Sequence, residues 1–213
     1  MGRRVELPGR GTTFVREVAG PPGAPTVLLL HGLVASGGLN WFQAFRPLSD
    51  HFNVVALDHR GHGRGIRSRR RFTLADCADD AAALVHQLGC GPVIAVGYSM
   101  GGPIAQLLWK RHPGGTTRLG RGLPRLPMGV IARQFPAGVR ARPESFRKWA
   151  RAEMRRHDVR MVSEATVAVG TFNSSKWIGD VDVPTAVLVT TEDRAVQPTD
   201  QMRLLVKIPH ATL

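Results

Sequence analysis

Cysteine, tyrosine and acid are what this sequence has least of. Among 213 residues there are two Cys, one Tyr and 16 Asp or Glu, against 29 Lys or Arg. Two cysteines, Cys77 and Cys90, make neither a disulfide framework nor a metal-binding spacing, so no metal or other cofactor is expected and the thiols read as reduced and cytoplasmic. Long hydrophobic runs are missing too: stretches such as Val27 to Leu30 are far short of the ~20 residues a membrane span needs. The N-terminal Met1-Gly2-Arg3-Arg4 has no apolar stretch behind it, which argues against a secretory signal. What remains is a globular composition, 43% hydrophobic and 21% charged, with 24 Gly and 15 Pro spread along the chain. That length suits one domain with a sizeable core.

The basic excess is local. Of 29 basic residues 25 are Arg, and from Lys110 to Arg160 there are 14 basic residues against three acids (Glu144, Glu153, Asp158). Such a patch suits an anionic membrane or an acidic substrate, and equally a merely solvated arginine-rich face. Nucleic acid is disfavoured as a partner, because no recognised binding module or stacking pattern appears.

Four short apolar runs read as strands buried on both faces: Pro25 to Leu30, Phe52 to Leu57, Pro92 to Val96 and Val183 to Val189. A hairpin is expected around Thr12 to Val18. Helices are expected at Leu74 to Leu88, where Leu74, Cys77, Ala81, Leu84 and Leu88 share a stripe, and at Pro103 to Lys110. Alternating strand and helix predicts an α/β fold with a mostly parallel sheet. Residues 113–170 break that rhythm and read as a short, basic, partly helical cap on a single domain spanning 1–213. Their second half is helical from Glu144, with Phe146, Trp149, Ala150 and Met154 on one face; a lid over a pocket and a membrane-lying helix both fit.

Between the third strand and its helix lies Gly97-Tyr98-Ser99-Met100-Gly101-Gly102. G-x-S-x-G in that context is a nucleophile elbow: a tight turn lifts the serine hydroxyl clear of the sheet, and the helix start offers backbone N–H groups to an oxyanion. His31-Gly32 ends an earlier strand, Asp58-His59-Arg60-Gly61-His62-Gly63 follows the next, and Thr190-Thr191-Glu192-Asp193 follows the last.

On these motifs the chain resembles the α/β-hydrolase family, in its serine esterase and lipase-like branch, from about Thr12 to His112 and again from about Trp177. The resemblance implies a hydrolase of esters or related small acyl substrates, with Ser99 as nucleophile and Asp193 as triad acid. It implies Leu33 and Met100 as oxyanion-hole amides, supported by His31, Gly32, Gly97 and Gly101. Glu192 and Asp200 compete with Asp193, which can also be a helix cap. His31 is expected to brace the oxyanion loop, and Asp58 to bond turn amides. His59 and His62 lack a third ligand for a metal.

Two features depart from the family. No apolar run follows His112-Pro113, where a strand is expected. Nor does a Gly-His pair follow Asp193: His210 is the one later histidine, and it precedes the expected final strand. The chain thus resembles a hydrolase that stops before its catalytic His, with impaired activity or a purely binding role as the consequence.

Overall fold

The computed structural model describes residues 2–116, 143–191, 193 and 196–213. The 117–142 portion of the expected cap and Glu192 lie outside these residues.

Five strands form one sheet in the order β1-β2-β4-β3-β5: β1 (Gly2–Leu7), β2 (Gly11–Val18), β3 (Thr26–Leu30), β4 (Asn53–Leu57) and β5 (Ile94–Gly97). The hairpin β1–β2 is antiparallel to its neighbours, while β3, β4 and β5 run parallel. Alternation along β3 explains why its sequence is apolar throughout. Leu28 and Leu30 face a core built with α3 (Leu74–Leu88) and α4 (Gly101–Arg111), whereas Val27 and Leu29 face Trp41, Leu48 and Phe52. Val55 and Leu57 of β4 join the first core, and Val54 and Ala56 the second. Two short helices, α1 (Gly37–Trp41) and α2 (Phe45–Ser49), carry much of the second layer.

Helix α3 has the boundaries its apolar stripe predicts. Thr73 caps it by accepting from the Asp76 N–H at 2.9 Å, and Gly89 ends it at φ 61°. Its position is fixed by Asp80, which holds Arg60 in a two-pronged ion pair (both contacts 2.7 Å) and Arg10 at 2.6 Å.

The fourth expected strand is not formed. Around Val183 to Val189 only an isolated parallel bridge, Ala186 to Thr212, is present, with Val187 N–H donating to Thr212 O and Thr212 N–H to Thr185 O. A second isolated rung joins Val93 to Thr116, in the place where the run after His112-Pro113 was missed. Each rung begins a ladder that the described residues do not continue, so β5 is only half-buried where a central parallel strand would be covered. Three later helices are α5 (Glu144–Met154), α6 (Val159–Gly170) and α7 (Pro198–Lys207).

Candidate active site

Ser99 stands in the turn between β5 and α4 at φ 50°, one of two non-glycine residues with positive φ among those described; the other is Val34, at 55°. A left-handed conformation in Ser and in a β-branched Val costs energy that the surrounding structure must impose. The two strained positions are the elbow itself and the loop opposite it. Steric demand explains the flanking glycines. A Cβ on Gly97 would sit 2.2 Å from Gly101 O, and one on Gly101 would sit 2.1 Å from Leu30 O. The Ser99 side chain is exposed, as an attacking hydroxyl must be.

The loop after β3 lies against the elbow. A Cβ built on Gly32 would be 3.2 Å from Ser99 Cβ and 3.0 Å from the Tyr98 ring. Asn40 pins this loop by accepting from Gly32 N–H at 2.9 Å. The backbone N–H groups of Leu33 and Met100, expected as oxyanion-hole amides, make no backbone hydrogen bond among the described residues.

His31 is a brace. Its Nδ1–H donates to Gly32 O at 2.8 Å and its Nε2 accepts from His59 N–H at 2.9 Å, which fixes one neutral tautomer and leaves neither nitrogen for proton transfer. Burial pushes its pKa down to about 3. Its ring stands 4.4 Å from that of His59 and 5.4 Å from that of His62, and His62 in turn is 5.5 Å from His157. Burial pushes His62 down to about 3 as well and lowers His59 and His157. These four are therefore neutral at pH 7. Among the described residues no three metal-binding side chains converge.

Asp58 organises the turn beneath, accepting from Gly37 N–H and Arg64 N–H (both 2.9 Å) and pairing with Arg16 at 3.0 Å. Arg16 also reaches Glu153 of α5 at 3.2 Å. Glu153 is fully buried and surrounded by Arg64 (3.1 Å), Arg156 (3.4 Å) and the Ser36 hydroxyl (3.3 Å). Sequence reading passed over Glu153, although the signal was there. Phe146, Trp149, Ala150 and Glu153 fall at i, i+3, i+4 and i+7, and an acid on an apolar stripe is buried only with partners. The stripe itself packs inward: Phe146 and Trp149 meet Phe42 at ring distances of 4.9 and 6.1 Å. His157, between α5 and α6, accepts from Gly63 N–H at 2.8 Å and is half-buried.

Asp193 is half-buried beyond the 183–189 segment. It accepts from Thr190 Oγ1–H (3.1 Å) and Val196 N–H (3.0 Å), a cap-like arrangement at the approach to α7. The Tyr98 phenol is raised by burial and, second, by the Asp193 charge. Leu188 packs with Ile94, Val96 and Tyr98 on the same side. Asp200 instead pairs with Arg203 at 2.7 Å.

All eight histidines are among the described residues, and none of them stands as a base for Ser99. His210 donates to Val183 O at 2.7 Å, at the start of the segment whose far end leads to Asp193. His112 is paired to Asp79 at 2.8 Å, and His51 and His86 are exposed on the surface, at the start of β4 and the end of α3.

Sheet order, elbow and oxyanion loop together define a class, the α/β-hydrolase fold. Residues 25–118 match the family model of the alpha/beta hydrolase fold. The chain is 36% identical over 105 residues to a 2-(acetamidomethylene)succinate hydrolase of Mesorhizobium japonicum, covering 47% of this chain and 34% of that protein. It is 27% identical over 220 residues to a putative carbamate hydrolase, RutD, of Agrobacterium fabrum, covering 89% of this chain and 83% of that protein. Among solved structures, the enol-lactonase from Burkholderia xenovorans LB400 superposes with a TM-score of 0.78 at 22% identity, over 99% of this chain and 89% of that one. In its stronger sequence matches the chain spans about a third of the length of its curated relatives.

Proposed function

We propose that this chain is a serine hydrolase of small carboxylic esters and related acyl compounds, working at low turnover. The observation that carries the reading is Ser99, exposed at φ 50° on the elbow with Gly32 of the opposite loop against it. In this reading Ser99 attacks the acyl carbon, and the Leu33 and Met100 amides stabilise the oxyanion. In the same reading Asp193 is the triad acid, the residue that would orient a base. The relatives' names support an acyl substrate, since one is a putative carbamate hydrolase and another an enol-lactonase.

Magnitude decides how fast such a site runs. Loss of the triad His has cost on the order of 10⁶ in kcat in a serine protease, while oxyanion stabilisation and binding retain about 10³–10⁴ over water. None of the eight histidines of this sequence hydrogen-bonds Ser99, so these residues by themselves account for turnover at that residual level. Helix α5, docked on Phe42 through Phe146 and Trp149, supports residues 113–170 as a cap on one domain. Two unpaired cysteines support a reducing, cytoplasmic setting.

The absence of a histidine at the elbow also favours a second reading, a hydrolase-fold protein that binds an acyl ligand without cleaving it. Hydrolysis of p-nitrophenyl acetate by wild type and Ser99→Ala separates the two. Slow turnover that disappears in Ser99→Ala establishes the hydrolase. Equal rates, with saturable ligand binding in both proteins, establish the binder.

A further inference from the structure

Away from the candidate site, two arginine-rich segments are clamped together. Residues 67–71 read Arg-Ser-Arg-Arg-Arg, and all four arginines are exposed. Arg67 donates to Gly65 O and Gly63 O at 2.7 Å and also to Arg156 O. Arg160 donates to Ser68 O, and Phe72 N–H to Glu164 at 2.6 Å. The 67–72 strip therefore runs along residues 156–164, and its cations are held beside Arg155, Arg156 and Arg160.

Local acids are already committed. Glu164 pairs with Arg160, Glu153 is buried among its own arginines, and Asp158 caps α6 by accepting from Met161 N–H. Among the described residues Arg69, Arg70, Arg71 and Arg155 have no carboxylate within ion-pair distance. Bringing so many like charges together costs free energy unless a counter-charge arrives. The flanking side chains are aliphatic: Val159 is 78% exposed and Met154 42%.

We propose that this face, formed by Arg69, Arg70, Arg71, Arg155 and Arg160 with Met154 and Val159, docks on an anionic phospholipid surface. The arginines meet lipid phosphates, and the two aliphatic side chains enter the headgroup boundary. The aliphatic pair is what favours lipid over nucleic acid, which would call for stacking aromatics or groove-reaching polar groups. The contact differs from the one expected of helix α5, whose Phe146 and Trp149 are spent on Phe42 while Met154, expected on the same face, stays exposed at the helix end. It stands whether or not Ser99 is a nucleophile.

Sedimentation with vesicles tests it, using wild type, the triple variant Arg69→Gln/Arg70→Gln/Arg71→Gln, and Val159→Ser. Thermal melting checks that each variant is folded. Wild type is expected to bind phosphatidylserine-containing vesicles at low salt, to ignore pure phosphatidylcholine, and to be released at about 0.5 M salt. Each arginine lost weakens binding about fivefold, and the triple variant about 100-fold. Val159→Ser is expected to weaken vesicle binding several-fold while leaving the affinity for a short DNA duplex unchanged. No sedimentation at low salt overturns the proposal. So does a Val159→Ser protein that binds vesicles normally while the triple variant loses DNA and vesicles equally, which marks a general polyanion surface. Binding by Ser99→Ala equal to wild type keeps this result apart from the hydrolase reading.

Discussion

Arg16 on β2 and Glu153 on α5 lie 137 positions apart and meet at 3.2 Å, with Arg16 holding Asp58 by its other nitrogen. One guanidinium thus ties the turn beneath the candidate site to the helix that follows residue 143. Removing one partner of a buried pair leaves an uncompensated charge, which costs about 3–5 kcal/mol. Glu153→Gln keeps the shape and deletes the charge, stranding Arg64 and Arg156. A loss of about 3 kcal/mol in urea unfolding is expected, and a change below ~0.5 kcal/mol would mean that water already screens the cluster.

The elbow is paid for in backbone strain. An αL residue with a side chain costs roughly 1–2 kcal/mol, and glycine relieves it. Ser99→Gly should therefore raise stability by about 1 kcal/mol while removing any serine-dependent turnover; Ser99→Ala should remove turnover with no such gain. Paired melting curves and ester assays check both.

Acid should destabilise the fold early. His31 and His62 have folded pKa values lowered to about 3, and His59 and His157 are lowered too, so below the ordinary value of 6.5 the unfolded chain binds more protons than the folded one. Stability from this source is complete above about pH 6.5 and falls as pH drops from there toward 3. For His31 and His62 alone the slope approaches about 2.7 kcal/mol per pH unit below ~pH 5.5. Urea titrations at pH 7, 6 and 5 measure it. A flat profile over that range would mean these histidines are protonated in the folded state.

Arg60 grips Asp80 with two nitrogens, both at 2.7 Å, and a lysine cannot reproduce that fork. Arg60→Lys is expected to lose about 2 kcal/mol, and Asp80→Asn more, since it also releases Arg10. Equal stability of Arg60→Lys and wild type in guanidinium melts would refute the bidentate requirement.

The parallel core was readable because it repeats one signal: a run apolar on both faces, stopped by polar or glycine residues. Leu74 to Leu88 was readable to the residue, since its stripe, its Thr73 cap and Gly89 agree. The elbow could be read from Gly97 and Gly101, whose steric need is visible in spacing alone. Val183 to Val189 misled, because an apolar run says nothing about whether a neighbour is there to pair with it. The joining of Arg16, Asp58 and Glu153 was hidden for another reason: charge pairing between distant positions leaves no periodic trace. His157 likewise leaves no trace of its neighbour: only the fold places His62 beside it.

The single rung between Ala186 and Thr212 sets how the protein loosens. Beyond the sheet, Ile178, Val181 and Ile208 form a small cluster with Trp177, Leu204 and, from α4, Trp109. A region tied by so few buried contacts opens sub-globally, at a free energy below that of β3 and β4. Amide hydrogens of Val187 and Thr212 should therefore exchange well before those of Leu28 and Leu29. Asp193 rides on this looser foldon, so on warming the acid parts from the elbow while Ser99 is still firmly mounted.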